Sequence, residues 1–278
     1  MLFGVHVSAA KSLALAPGRA HEVGAEVFQF FSRSPRGGAA PKITPALAAE
    51  FRANCRKFKL AECYIHTPYY INLASTNGRI YHGSIAVIRD ELERGSLLRV
   101  TYVMTHLGSA RELGRKQAIT KVIAGLREAL RGYRGSTKLL LEIAAGSGNI
   151  IGDTFKEIAA ILRGVGKRDV GVCFDTAHAF ASGYDLRTPA AVKATIRAFD
   201  RTIGLNRLKL IHCNDSKVDL GSHKDRHQHI GLGKIGLAGF RALLAHPKLQ
   251  KINFSLETPE DDIRGDKGNL AVMKRLRG

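Results

Sequence analysis

The chain has 278 residues, 45% of them hydrophobic, with 43 Lys and Arg against 24 Asp and Glu, a formal net charge of +19. No run of 18 apolar residues offers a membrane span, and the opening MLFGVHVSAAKS lacks the basic-then-apolar layout of a signal peptide, so the expectation is a soluble cytoplasmic protein of one large domain over 1–278. The four cysteines, Cys55, Cys63, Cys173 and Cys213, form no C-x-x-C pair, which argues against a zinc ribbon or a dithiol redox motif.

The first apolar run, 2–7, contains His6 near its end and leads into helical spacing over 12–23. The second, 25–31, closes on VFQFF with no metal-binding residue and is followed by a loop at 32–44 and a helix at 45–58. Runs at 61–66, 100–106 and 138–143 reach His66, His106 and Glu142, with helices expected at 78–95, 113–131 and 154–164. The last three, 170–175, 208–213 and 252–257, reach Asp175, His212 and Glu257, with helices at 189–203, 236–245 and 267–276. Thr44 before Pro45, Asp153 before Thr154 and Thr188 before Pro189 are capping-type residues at helix entries. Apolar strands alternating with helices eight times predict a parallel α/β sheet closed into a single (β/α)8 TIM barrel; one doubly wound open sheet is the alternative.

A closed parallel barrel gathers its strand ends on one face, the functional face of this fold. His6, His66, His106, Glu142, Asp175, His212 and Glu257 would then share one mouth. Asp175 and His178 leave a strand together in FDTAH, and Asp225 and His227 stand two apart in DRH, where an extended loop points both one way. Histidine with carboxylates and no cysteine suits catalytic zinc or manganese rather than a structural site. Nine residues form the candidate ligand set: His66, His106, Glu142, Asp175, His178, His212, Asp225, His227 and Glu257. A lone strand-end histidine is more often structural, and Asp225 alone could be a surface ion pair; the joint pattern is what points to metal. His6 has a supporting or phosphate-binding role as its alternative to a structural one. His223 and His229 could compete as ligands, His21, His82 and His246 read as surface residues, and Cys173 and Cys213 as small buried hydrophobes or supports of the site. The +19 charge suggests a polyanionic partner, nucleic acid first, or a solvated surface charge suited to the host, since the basic residues are spread along the whole chain.

Several stretches resemble the endonuclease IV family of apurinic/apyrimidinic endonucleases: GVHVSAA at 4–10, HTPYYINLAS at 66–75, GVCFDTAH at 171–178, YDLRTP at 184–189, IHCNDSKVDLGSHKDRH at 211–227 and LETP at 256–259. The resemblance covers essentially the whole chain. It implies three zinc ions, with manganese in part as an alternative. One would be held by His66, His106 and Glu142; a second by Glu142 as bridge with Asp175, His212 and Glu257; a third by His178, Asp225 and His227. It implies a monomer acting on double-stranded DNA that contains abasic sites or blocked 3′ ends. The nick would fall 5′ to the abasic sugar and leave 3′-hydroxyl and 5′-deoxyribose phosphate. Clustered dications suit this reaction because they activate water near neutral pH and offset phosphate charge, with Glu142 central to both. Arg36, Tyr69 and Tyr70 would probe the lesion. Departures from the family pattern are Lys11-Ser12, Gly37-Gly38, Tyr70, Ile143, Ala177 and Leu232; they touch loop geometry and lesion choice rather than ligands. A sugar isomerase on a related barrel would leave the DRH pair and the tyrosine loop unexplained, and a noncatalytic DNA-binding protein would leave the ligand set unexplained.

Overall fold

Eight short strands close into one parallel barrel in the computed structural model, which describes residues 1–278. They are β1 (Phe3–His6), β2 (Val27–Phe30), β3 (Cys63–His66), β4 (Tyr102–Thr105), β5 (Lys138–Glu142), β6 (Gly171–Asp175), β7 (Leu208–His212) and β10 (Asn253–Leu256). A two-residue antiparallel hairpin, β8 (Asp215–Ser216) with β9 (His227–Gln228), lies between β7 and β10 in the chain. β1 pairs with both β2 and β10, so the sheet is closed and the open-sheet alternative falls away. The helices are α1 (Ala16–Glu22), α2 (Pro45–Lys57), α3 (Gly78–Leu98), α4 (Arg115–Ala129), α5 (Phe155–Val165), α6 (Thr176–Ala181), α7 (Pro189–Thr202), α8 (Gly236–Ala245) and α9 (Gly265–Arg277). No helix is long and apolar enough to cross a membrane.

Side chains alternate across a strand with a period of two, and the barrel uses both faces. The outward set, including Phe28, Ile65, Val103, Leu141, Phe174 and Ile211, packs in the large core shared with the helices. The inward set Val27, Tyr64, Met104, Leu140, Cys173 and Leu210 forms a separate small cluster that plugs the barrel. At the same level β1 supplies Gly4, where an added Cβ would lie 2.0 Å from the Val27 carbonyl oxygen. No side chain fits there, so β1 can approach β2 only with glycine at this position.

Thr44 and Thr188 cap α2 and α7 by accepting from Leu47 N and Ala191 N. At α5 the cap is Thr154 rather than Asp153. Thr154 has the extended backbone that sets its hydroxyl over Glu157 N, while Asp153 turns to pair with Arg115. The helix expected at 12–23 opens as a 3-10 turn over Leu13–Leu15 capped by Ser12, then continues as α1. Helix α6 and the β8–β9 hairpin have no counterpart in the predicted set: α6 is too short to show a 3.6-residue period, and β8 and β9 are too short to show alternation.

Candidate metal centre

Two residues beyond the plug, the inward register places His6, Gln29, His66, His106, Glu142, Asp175, His212 and Glu257 in one layer, each from a barrel strand or the residue just after it. Glu142 lies at its middle. One carboxylate oxygen is 3.1 Å from His66 Nε2 and 3.7 Å from His106 Nε2; the other is 2.9 Å from His212 Nδ1. Glu257 brings an oxygen to 3.2 Å from the same His212 nitrogen. Asp175 caps α6 by accepting from His178 N at 2.7 Å, so the FDTAH spacing sets the His178 ring against the barrel mouth.

The hairpin β8–β9 returns the 214–235 loop to this mouth. Asp215 holds the return by accepting from the backbone N–H groups of Gly231, Gly233, Ile235 and Gly236. Asn214 donates to Asp175 at 2.7 Å and accepts from Glu257 N at 2.7 Å, locking two carboxylate-bearing segments together. Asp225 thereby reaches His178 Nε2 at 3.2 Å and His227 Nε2 at 3.3 Å. His229 is buried on Asp261 and Asn269, and His223 is exposed near Asp153, so neither joins the cluster. Cys173 lies in the plug below His212, and burial pushes its thiol up to about 12.

Three groups each bring their donor atoms within 4.8 Å of one another: His66, His106 and Glu142; Glu142, Asp175, His212 and Glu257; and Asp175, His178 and His227. Asp225 completes the third at the rim, where its side chain is half exposed. Within the cluster, Glu142, Asp175 and Glu257 have no Lys or Arg partner; their ionisable partners are imidazoles. Burial alone would raise the Glu142 carboxyl, yet the surrounding His106 and His212 rings hold it well below the usual carboxylate range. Burial also opposes charge on His178, where Asp175 and Asp225 outweigh it, and on His66, where Glu142 does; both rings are raised. His212 is raised against burial as well, and because the Cys173 thiol stays neutral, Glu257 and Glu142 carry that effect. Burial wins at His6 and His106, which are lowered. The donor set of neutral-ring nitrogens and carboxylate oxygens suits divalent cations, which would replace the protons now shared among these groups.

A groove of about 1220 Å³ opens over the cluster, lined among others by Lys11, Arg33, Arg36, His66, Tyr69 and Glu257. Arg94 from α3 anchors the base of the Arg36 loop by donating to the Ser32 hydroxyl and carbonyl and to the Pro41 carbonyl. Arg33 is tied to Asp90 and Glu91, whereas exposed Arg36 has no acidic partner. Tyr69 is 66% exposed and stands edge-on to Phe31; Tyr70, 39% exposed, does not line the groove. Lys11 takes a left-handed backbone with φ 72°, as do Gly37 and Gly38 in their loop. Ile143 and Ala177 are buried and Leu232 is exposed.

The residue that sequence reading passed over is Gln29, from the one strand without a ligand-type end. It is wholly buried and bonds to His6, Glu257 and His212. A single polar residue inside VFQFF was the available signal, since a buried amide needs partners.

A family model described as a xylose isomerase-like TIM barrel matches residues 17–277. A protein of Methanoculleus marisnigri named "Probable endonuclease 4" is 44% identical over 100% of this chain and 99% of its own. The protein of that name from Cenarchaeum symbiosum is 38% identical over 100% of both. The crystal structure of endonuclease IV from Thermus thermophilus superposes with a TM-score of 0.88 at 35% identity, covering 99% of this chain and 98% of that one. A D-tagatose 3-epimerase-like protein, 20% identical over 99% and 97% of the two chains with a TM-score of 0.75, shares the fold.

Proposed function

The chain belongs to the endonuclease IV family within the xylose isomerase-like TIM barrels, and on that premise we propose that it is a DNA-repair nuclease that cuts 5′ to abasic sites in duplex DNA. It is a metal-dependent hydrolase of the endonuclease IV type. The observation that carries the reading is the set of three donor groups sharing one barrel mouth under an open groove.

In this reading three zinc ions are held by His66, His106 and Glu142; by Glu142, Asp175, His212 and Glu257; and by His178, Asp225 and His227. When bound, such ions supply activation of water and neutralisation of phosphate charge for phosphodiester hydrolysis. The protein's own part is geometric. Glu142 presents one oxygen to each of two donor groups, an arrangement that suits a bridging ligand. Asn214 and the backbone keep Asp175 and Glu257 in place. Arg36, Tyr69 and Tyr70 would enter a duplex where a base is missing, since an unstacked nucleotide costs less to displace there; what supports this is that Arg36 and Tyr69 line the groove without acidic partners. Blocked 3′ ends whose blocking group is joined through a phosphodiester belong to the proposed substrate range. The barrel is taken to work as a monomer of one domain in the cytoplasm.

The test is incubation of zinc-loaded protein with a duplex holding one abasic site and with its undamaged twin. A single nick leaving a 3′-hydroxyl on the damaged strand only is expected. No nick, or equal cutting of both duplexes, would refute the reading. Ketose interconversion by the same preparation would favour the sugar-epimerase relatives instead.

A further inference from the structure

The imidazoles of the cluster differ in what holds their outer nitrogen. His66 Nδ1 lies 2.6 Å from the Thr67 carbonyl, His178 Nδ1 3.0 Å from the Ile143 carbonyl and His227 Nδ1 2.9 Å from the Glu257 carbonyl. A carbonyl only accepts, so each Nδ1 carries a hydrogen and Nε2 is left to face the carboxylates. His106 Nδ1 has no partner in the protein. His212 is reversed: Nδ1 faces Glu142 and Glu257, and Nε2 is met by the Gln29 side chain at 2.8 Å.

Chemistry decides which end of the Gln29 amide is which. One end is 2.6 Å from Glu257 Oε1. A carboxylate that serves as a metal ligand is ionised and accepts only. The NH2 group therefore faces Glu257, and its second hydrogen meets His6 Nδ1 at 2.9 Å. The carbonyl oxygen is left to accept from His212 Nε2. Flipping the amide would set NH2 against N–H and a carbonyl against a carboxylate, both in a buried position where unmet polar groups are costly.

We propose that Gln29 is a positioning residue: it fixes His212 as the tautomer with a free Nδ1, turns Glu257 so that its second oxygen faces His212, and so builds the Glu142–Asp175–His212–Glu257 site. This rests on the reading of that cluster as a metal site. Three other rings are oriented by backbone, which substitution leaves in place. At His212 the orienting group is a side chain, so it can be removed alone.

The experiment compares wild type, Gln29→Met and Gln29→Glu, equilibrated in zinc buffers and analysed for bound metal. Imidazole ¹⁵N spectra of the loaded proteins report the His212 tautomer. Wild type is expected to hold three equivalents with His212 protonated at Nε2. Gln29→Met should hold two at the free zinc that saturates wild type, with one affinity weakened by roughly 10–100-fold and the His212 Nε2–H signal lost or shifted. Gln29→Glu keeps an acceptor for His212 but sets a second carboxylate against Glu257; it should retain the tautomer signal and still weaken the same single site. Three equivalents at wild-type affinity in Gln29→Met overturns the assignment. So does equal loss of all three metals, or failure to fold, in both variants, because Gln29 would then serve the barrel and not one site. A wild-type protein that takes up no metal would sink the metal reading itself, and this assignment with it.

Discussion

The Nε2 atoms of His178 and His227 face each other at 3.4 Å. Both rings give their Nδ1 hydrogens to backbone carbonyls, so in the neutral state two lone pairs point at one another. The two oxygens of Asp225 stand 3.2 and 3.3 Å away. A proton or a cation in that space would make the arrangement favourable. Burial opposes charge on His178, but Asp175 and Asp225 outweigh it and raise its pKa, the direction that favours a proton in this space when no metal is bound.

Asp225→Ala and His227→Ala should each remove one metal and leave the others. Both residues come from the β9 side of the mouth, apart from the strand-borne donors of Glu142. Elemental analysis should find close to one equivalent lost. A proportionate loss of all metals would mean the sites are not separable.

Glu142→Gln should keep the fold and lower cleavage by at least roughly a hundredfold, since one substitution weakens the donor groups on both of its sides. The check is turnover on an abasic duplex alongside metal content. Activity within threefold of wild type at full occupancy would rule out bridging.

The gap in melting temperature between metal-loaded and chelated protein should widen as pH rises from mildly acidic to mildly alkaline. His66, His178 and His212 are held above the ordinary 6.5, so in the chelated protein their charged rings stabilise fully below that value and lose this contribution as pH climbs through their raised values. Glu142 and Glu257 are held below 4.5; their contribution is present above it and is lost as pH falls through their lowered values. His6 and His106, lowered chiefly by burial, work in the opposite sense to the three raised rings. Metal takes the place of the protons, so loaded protein is spared the alkaline loss. Taking the difference cancels groups outside the cluster. A gap that narrows with rising pH would contradict the shared-proton picture.

Arg36→Ala, or Tyr69→Ala together with Tyr70→Ala, should weaken binding to abasic duplex more than to intact duplex of the same sequence and salt. Loss of aromatic stacking is worth roughly 1–3 kcal/mol per contact, about ten- to a hundredfold. Tyr69, which lines the groove, should carry more of the effect than Tyr70, which does not. Equal weakening on both duplexes would make these general backbone contacts.

Lys11→Gly should raise stability by about 0.5–1 kcal/mol, because φ 72° costs a lysine what it does not cost glycine, less the extra freedom glycine gains when unfolded. The measurement is chemical denaturation of chelated protein. A fall in stability would show that Lys11 makes contacts worth more than its strain.

Much of this molecule is legible along the chain because its signals are local. Apolar strands, helical spacing and the Thr44 and Thr188 caps depend on near neighbours, and eight repeats of one unit left closure as the economical topology. The chemical types at the mouth were visible too, since strand ends on one face need only the period of two to converge. What folding alone decided are relations between distant side chains. Gln29 looks like an isolated polar residue until β1, β7 and β10 bring His6, His212 and Glu257 around it. Which nitrogen His178 and His227 offer depends on the carbonyls of Ile143 and Glu257, which lie dozens of residues away. Thr154 and not Asp153 caps α5 because Arg115, from another helix, competes for the aspartate. Hydrogen-bond donors and acceptors pair through space, and that pairing has no period to be read in one dimension.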